Sequence, residues 1–245
     1  YSQDALAGVT RDATSGKLTP ATAGEWSTAL AVAGNPAPTP NHLWLMQEVS
    51  GNPADTIGTG LGVRDLTATA GGNSPTYGRT VSGWSRKAIG GPGTAVASSL
   101  SNSSMVNTAT TDFIVFAYAQ SAAAVGGLRA VVTYATPALQ QLIGNNIRFR
   151  LISSIVDSVN SHAGVVRPYL FTYSITNATC RLYTDIERLQ VTYIPITGTQ
   201  LVFTTSTATD TSLSNFLYAC AWDGARVTDA QARALFGVLG YNVPW

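Results

Sequence analysis

The segment 215–241 restricts the fold of this chain more than any other part of the sequence. It has the pattern of a buried strand, a turn at Asp223-Gly224 and a short helix. A capping box, in which Gln231 follows Thr228 by three residues, marks the start of that helix. Its apolar face is predicted to consist of Ala230, Ala234, Leu235 and Val238. One closing helix after a chain rich in strand patterns predicts a β-sandwich.

Strand patterns recur at intervals of roughly ten residues, with turn-forming residues between them, which is typical of sandwiches and barrels. The predicted strands are 42–49, 65–70, 77–89, 112–120, 128–136, 146–154, 167–175, 179–184, 189–194, 200–205 and 216–222.

Residues 1–41 follow a different pattern. Thr22 and Glu25 form a second capping box, which predicts a helix over 22–33. Its apolar stripe consists of Trp26, Leu30 and Ala33. We therefore divide the chain into an N-terminal arm and helix, 1–41, and a β-sandwich domain, 42–245. The N-terminal part either packs on the sandwich or serves as an arm for a neighbouring copy.

The composition is low in charge. Only 11% of the 245 residues are charged, against about 25% in a typical protein, while 45% are hydrophobic. A hydrophobic content this high is not that of a disordered chain. The composition indicates a rigid exterior protein, or one whose surface is partly covered by copies of itself.

The net charge of +1 and the absence of a basic stripe argue against a nucleic-acid partner. We expect Arg79, Arg86 and Lys87, the nearest approach to such a stripe, to lie on ordinary solvated surface. No apolar run approaches the roughly 18 residues of a spanning helix, so membrane insertion is not expected.

The two cysteines, Cys180 and Cys220, both lie in apolar strand-like runs. Buried free thiols pack well as small hydrophobic groups, and this interpretation is favoured. A disulfide between neighbouring strands stays open, because sequence does not give the required geometry. Two cysteines and two histidines are too few and too scattered for a thiolate zinc site.

Three short motifs resemble the laminin-G-like, concanavalin-A-like jelly-roll domains. The segment 44–51, Trp-Leu-Met-Gln-Glu-Val-Ser-Gly, followed by Asp55, resembles their opening strand. The segment 180–185 is similar to their Leu-Tyr-Val-Asp-Gly hairpin, and 217–235 is similar to their last strand and short helix. The resemblance covers roughly 42–240. It implies an all-β, two-sheet antiparallel jelly-roll sandwich with an N-terminal helix and a short C-terminal helix.

The sequence departs from that family at Ile186, which stands where the family has a hairpin glycine. A β-branched residue resists positive φ, so this turn must take another form.

Glycoside hydrolysis is the first activity to test, since related jelly rolls perform it. It needs two carboxylates about 5–10 Å apart. Asp185 and Glu187 share one face of a strand, roughly 7 Å apart. We expect both in a solvated hairpin tip, where neither pKa is raised as a catalytic acid requires.

Nucleophilic hydrolysis has no better support. His42 and His162 are the only histidines, His162 has a loop pattern, and no serine or cysteine lies in a nucleophile elbow. We therefore assign no catalytic, cofactor-binding or metal-binding residue, and we expect a protein that is not an enzyme and uses no cofactor.

Calcium is the one metal that the resemblance brings up, because some members of that family bind it near one sandwich edge. Asp55, Asp65 and Asp223 are candidates by residue type. Their spacing is not that of a calcium loop, and Asp55 and Asp223 serve equally well as turn caps. No metal site is assigned.

A sugar-binding face would present exposed aromatic side chains. Trp44, Trp84 and Trp222 lie in strand-like runs and are expected in the core, with Trp26 as the anchor of the first helix. Trp245 is expected to cover either a neighbouring surface or its own sandwich. Weaker candidates for a sugar site are Tyr193 and Tyr241.

These observations predict a non-enzymatic structural or adhesive β-sandwich protein on the exterior of a virus particle, filament or cell, such as a virion decoration protein. Copies are expected to associate through residues 1–18 or the helix 22–33. A lectin-like glycan-binding module is the main alternative, and a glycoside hydrolase is the weaker one.

Overall fold

The computed structural model of the chain describes residues 4–35, 38–59, 62–92, 97–105, 108, 110–121, 129–134, 138–141, 146–151, 153–162, 164–206 and 214–245. They form two antiparallel sheets stacked face to face. Two α-helices and the N-terminal segment cover the outer face of one sheet. The two-sheet sandwich with a helix near each end is confirmed.

The α-helices are α1 (Ala23–Val32) and α2 (Asp229–Val238). The strands are β1 (His42–Trp44), β2 (Thr67–Ala68), β3 (Thr76–Arg79), β4 (Ala88–Gly90), β5 (Ser98–Asn102), β6 (Phe113–Ser121), β7 (Arg129–Tyr134), β8 (Ala138–Gln141), β9 (Ile147–Leu151), β10 (Ser154–Asp157), β11 (Val166–Ser174), β12 (Thr179–Thr184), β13 (Arg188–Val191), β14 (Leu201–Ser206) and β15 (Ser214–Asp223). Neither helix has the length and apolar character to cross a membrane, a statement limited to the described residues.

The first sheet has the strand order β13-β12-β11-β6-β15-β4-β3, and β1 pairs with β15 beside this path. The second sheet has the order β10-β9-β8-β7-β14-β5-β2. The long strands β6, β11 and β15 form the centre of the first sheet, which explains why their sequences give the clearest strand patterns.

Both faces of the first sheet are buried. In β6, Val115 and Ala117 face the second sheet, while Phe116 and Tyr118 face the opposite way. Side chains alternate between the faces of a strand, and a strand buried on both faces therefore has a continuous apolar sequence rather than an alternating one. This is why 112–120 and 216–222 are apolar almost throughout.

The outer core is closed by the two ends of the chain. Trp26 of α1 is fully buried, and its Nε1 donates a 2.6 Å hydrogen bond to Tyr218 Oη. Tyr118 Oη donates to the carbonyl of Leu18 at 3.0 Å. Other buried side chains of this layer are Leu6, Val9, Leu30, Leu235, Phe236 and Leu239.

A buried carboxylate fixes the N-terminal segment to the sandwich. Asp12, 1% exposed, accepts hydrogen bonds from the Ser85 amide, the Ser85 hydroxyl and the Arg86 amide. Of the two alternatives for residues 1–41, packing on the chain's own sandwich is what their described residues do.

The prediction that Arg86 is solvated surface is wrong. Its guanidinium is half-buried and donates to the carbonyl of Leu45 at 3.0 Å. It also lies 5.8 Å from the ring centre of Tyr218. Arg86 thus joins the N-terminal layer to the sheet, which a reading of local sequence does not reveal.

Several strand bounds differ from the prediction. The single strand expected over 77–89 is the pair β3 and β4, joined by a turn that contains Gly83 at φ 78°. β1 stops at Trp44, since Met46 takes φ 57° and leaves the strand conformation. β5 and β8 were not predicted, because serine, asparagine and glutamine are weak strand formers.

The cap of α2 is the predicted capping box, whereas at α1 only the Thr22 half forms, because the Glu25 carboxylate accepts from the amides of Ala21 and Thr10 instead. Thr228 Oγ1 accepts from the amide of Gln231 at 3.2 Å, and the Gln231 side chain accepts from the amide of Thr228 at 2.8 Å. The apolar face of α2 is shifted from the prediction: Ala230 is exposed, and the buried residues are Ala232, Leu235, Phe236 and Val238.

Cys180 and Cys220 are free and buried, as favoured by the sequence. Cys180 lies in the core between the sheets and Cys220 in the outer core, so the thiols are on opposite faces of one sheet. Burial raises the pKa of both thiols.

Candidate functional site

An open groove lies at one end of the first sheet. Its volume is about 660 Å³. Its walls come from 110–112, which lead into β6, from the β11–β12 turn at 175–177, and from 224–228, which connect β15 to α2. Pro38 and Gln231 complete the rim. The groove is therefore built from chain segments that are distant in sequence.

Asp112 holds these segments together. Its carboxylate is 7% exposed and accepts from the Ile175 amide at 2.6 Å and from Thr176 Oγ1 at 2.9 Å. Its carbonyl accepts from the Gly224 amide at 2.7 Å. Because one buried residue fixes all three walls, the groove is a preformed feature of the fold.

The surface of the groove is mixed, with aliphatic side chains such as Ile175 and Val227 beside polar ones. Hydroxyl and amide groups come from Thr110, Thr111, Thr176, Asn177 and Gln231. The two charged lining residues are Asp112 and Arg226, whose side chain is 52% exposed. Arg226 Nη1 lies 3.7 Å from Asp112 Oδ2, which is longer than a hydrogen bond. Such a surface can offer several hydrogen bonds and one guanidinium to a ligand.

A buried histidine supports the same end of the sandwich. His42 Nδ1 lies 2.7 Å from Asp55 Oδ2, and Nε2 lies 3.0 Å from Asp223 Oδ2. Burial alone would lower the pKa of His42, but the hydrogen bonds and charges of Asp223 and Asp55 raise it to about 9. His42 is therefore a cation at neutral pH. It joins β1 to the end of β15, directly before Gly224 in the groove wall.

The three aspartates considered for calcium do come together. Asp55 and Asp223 flank His42, and Asp65 Oδ1 accepts from the amide of Asp55 at 2.8 Å. The cation between the first two carboxylates is the His42 imidazolium. Within the described ranges, no set of three or more histidine, cysteine, aspartate or glutamate side chains is arranged to hold a metal ion.

The expectation of a solvated turn at Asp185 and Glu187 is wrong. Glu187 is 9% exposed, and its Oε1 lies 2.5 Å from His162 Nε2. Asp185 Oδ2 accepts from Arg167 Nη1 at 2.8 Å. His162 from the loop before β11 pairs with Glu187, and Arg167 from β11 itself pairs with Asp185.

Thr184 gives this turn its form. Its Oγ1 accepts from the amides of Ile186 and Glu187 at 3.3 and 3.1 Å. Ile186 does not have positive φ, which confirms that the turn differs from the glycine-containing one.

His162 lies in a loop, as predicted, and is fully buried there. Its Nδ1, Tyr169 Oη and Ser121 Oγ make no hydrogen bond to any part of the chain that the structure describes. Burial lowers the pKa of His162, against the attraction of Glu187. This end of the sandwich therefore holds a neutral histidine.

The aromatic residues mostly form core. Trp26, Trp44 and Trp222 are buried, and Trp84 is half-buried 4.9 Å from the ring of Tyr118. Trp245 Nε1 donates to the carbonyl of Thr184 at 2.8 Å, so it covers its own sandwich. Tyr193 and Tyr241 also pack partly buried against the two cores. Among the described residues, the exposed large apolar side chains are aliphatic: Val49, Val63, Ile155, Val159 and Val165.

The sequence therefore missed the groove. Its polar lining consists mainly of threonines, with Asn177 beside them, in turns that look like ordinary connections. The one available signal is that polar residues follow the ends of the longest apolar strands, at 175–177 and 223–226.

Comparison with known proteins by sequence finds no match. No family model matches the chain, and no curated protein matches it.

Solved structures do resemble it. A Trypanosoma rangeli sialidase in complex with sialic acid matches with a TM-score of 0.58 at 9% identity over 80% of this chain. The binding domain of botulinum neurotoxin DC in complex with SialylT matches with a TM-score of 0.53 at 12% identity over 81% of this chain. The binding domain of botulinum neurotoxin serotype G matches with a TM-score of 0.52 at 8% identity over 82% of this chain.

This chain spans 32% of the sialidase and 51% and 50% of the two neurotoxin domains. At such low identity the likeness shows the fold alone. It agrees with the expectation drawn from the strand motifs. The chain has an antiparallel two-sheet jelly-roll fold of the concanavalin-A-like type.

Proposed function

We propose that this chain is a non-enzymatic adhesive domain that holds a saccharide in the groove at the end of its first sheet. It would act on the exterior of a cell, filament or virus particle. The observation that carries the proposal is the groove itself, a preformed depression of about 660 Å³ with a mixed polar and aliphatic lining. Ligand sites in proteins are concave, of about 300–1,000 Å³, and largely preformed.

The covering layer supports this location. In a sandwich, a ligand can meet the outer face of a sheet or the loops at its ends. The outer face of the first sheet is occupied by α1, α2 and the N-terminal segment. The strand-end loops carry the groove instead, with side chains that can exchange hydrogen bonds with sugar hydroxyls.

The electrostatics support binding without bond cleavage. A glycosidase keeps one carboxyl group protonated near neutral pH. Burial would raise the pKa of Asp55, but hydrogen bonds from His42 and from the amides of Leu43 and Arg64 lower it. Of the two acids that the sequence suggested for hydrolysis, Glu187 is bound to His162 and Asp185 to Arg167. Carboxylates held in this way serve as structural anchors.

Solved structures add an analogy. Two of the similar structures are complexes with sialic acid or SialylT. The likeness is one of fold, so it makes carbohydrate a sensible ligand class to test first.

The experiment is a glycan array probed with the labelled chain, followed by the same array with Asn177→Trp. Asn177 is exposed and lines the groove, so an indole at this position should fill it and abolish binding. Asn160→Trp is the matched control, because Asn160 is also exposed but lies before β11, at the opposite end of that strand.

Binding that survives Asn177→Trp, or that is lost equally in Asn160→Trp, would place the ligand elsewhere. Silence of the parent chain across neutral, carboxylated and sulfated glycans would remove the proposal.

Self-association through the N-terminal segment remains a prediction. The apolar side chains of α1 face its own sheet, so a contact between copies would use the exposed residues Ser27, Thr28 and Ala31. Size in solution, measured by light scattering, tests it, and a strict monomer at high concentration would count against it.

A further inference from the structure

Building on the proposed function, we infer that the groove selects an anionic saccharide, one that carries a carboxylate or sulfate, through the guanidinium of Arg226. The inference joins two observations, the available charge of Arg226 and the aliphatic and polar lining around it.

The ion pair between Arg226 and Asp112 is a long one, which leaves the guanidinium donors free of short hydrogen bonds to that carboxylate. Asp112 accepts hydrogen bonds from Ile175 and Thr176 at 2.6–3.2 Å, and these use both of its oxygens. Arg226 is left at 3.7 Å with a half-exposed side chain. A guanidinium presents five donors in a planar fork that matches an oxyanion in bidentate geometry.

The acids next to the groove do not cancel this charge. Asp229, the first residue of α2, lies 3.2 Å from both Arg181 Nη1 and Arg188 Nη2. Its Oδ1 also accepts from Tyr183 Oη at 2.7 Å. Arg181 and Arg188 therefore compensate the charge of Asp229, and the His42 cation lies between the other two acids at this end, Asp55 and Asp223. The N-terminus of α2 adds a positive dipole end at the rim.

A neutral sugar would gain little here. No aromatic side chain lines the groove in the described part of the chain, so stacking on a ring face cannot supply affinity. Hydrogen bonds between neutral groups only replace those made with water and give a small net gain. A bond between charged partners is stronger, so the anion would supply most of the selectivity.

The test uses the full chain with array glycans in matched sets: neutral, sialylated, uronic-acid-containing and sulfated. Three variants accompany it. Arg226→Gln removes the charge, Arg226→Lys keeps the charge without the fork, and Arg233→Gln is the control. Arg233 is exposed on α2 near Trp245, outside the groove. Arg233→Gln therefore changes the net charge by the same amount as Arg226→Gln.

We expect binding to the acidic sets only. Arg226→Gln should weaken it by about 10- to 100-fold, Arg226→Lys by less, and Arg233→Gln should leave it unchanged. Raising the salt concentration should weaken binding of the parent chain but have little effect on the residual binding of Arg226→Gln.

If neutral glycans bind as well as acidic ones and Arg226→Gln has no effect, this inference is overturned. The groove would still be a sugar site if Asn177→Trp abolishes binding. Equal losses in Arg226→Gln and Arg233→Gln would overturn it as well, because they would indicate general charge attraction. No binding to any set would remove both proposals.

Discussion

The two histidines are both fully buried, yet they lie in opposite environments at different ends of β11. His42 sits between two carboxylates beside the groove and carries a charge. His162 faces one carboxylate, Glu187, and its Nδ1 makes no hydrogen bond to the described residues. At His42 the two anions outweigh the cost of burying an imidazolium, whereas at His162 one contacting anion does not, and the nearby guanidinium of Arg167 lowers the pKa further.

The two ends of the sandwich therefore differ in how their buried polar groups are paired. At the groove end, charged groups hold three walls in place, which preforms a binding surface. At the other end, Tyr169 Oη and Ser121 Oγ also lie buried without a hydrogen bond to the described chain. Buried polar groups of that kind cost free energy. We therefore expect the two ends to respond differently to mutation and to pH.

The largest effect should come from His42→Ala. Removing the cation leaves Asp55 and Asp223 as unpaired buried anions, and breaking a buried ion pair in this way costs about 3–5 kcal/mol. Urea unfolding monitored by circular dichroism measures it. His162→Ala, which deletes the same side chain and leaves one carboxylate, is the control. Equal losses in the two variants would contradict the contrast between the ends.

Alkaline pH should destabilise the parent chain next most strongly. The pKa of His42 is about 9 in the folded protein and about 6.5 when unfolded, so folding takes up a proton between these values. The stabilisation is complete below pH 6.5 and is lost as the pH rises through 9, by about 3 kcal/mol. Unfolding free energies from pH 6 to about 8.5, below the range in which unfolded thiols ionise, would show this slope, and His42→Ala should lack it.

A matched pair of tyrosines tests the buried hydroxyl groups. Tyr118→Phe leaves the carbonyl of Leu18 without its donor, which should cost about 1–3 kcal/mol. Tyr169→Phe removes a hydroxyl without a partner and should be neutral or stabilise by up to about 1 kcal/mol. Thermal and denaturant unfolding report both values. A clear loss in Tyr169→Phe would show that its hydroxyl is satisfied after all.

The smallest effect should appear on the acid side of neutrality. The pKa of His162 is lowered in the folded protein, so the unfolded chain binds a proton first as the pH falls below about 6.5. Stability should decline there, with the opposite slope to that of His42. Comparing the parent chain with His162→Gln between pH 5 and 7 isolates this slope, and identical profiles would contradict it.

The sequence predicted those helices and strands that are determined by contacts between residues close together in the chain. Both threonine caps begin helices at the expected places, because Thr22 and Thr228 each accept from the amide three residues later. Long apolar runs gave the central strands, since both faces of the first sheet are buried. The prediction from the sequence merged β3 and β4, which the turn at Gly83 separates.

The site could not be predicted because its contacts join distant residues. Asp223 is 181 positions from His42, and Asp112 is 64 positions from Thr176. Glu187 was expected in water, since nothing near it in sequence shows that His162, 25 positions earlier, covers it. Pairing of this kind depends on strand order, which local patterns leave open.

A crystal structure of the chain grown with the tightest acidic glycan from the array tests the central claim most directly. The account predicts ligand density in the groove, with the acidic group against Arg226 and sugar hydroxyls near Thr176 and Asn177. Density on the outer face of the second sheet, or at the His162 end with the groove empty, would contradict it.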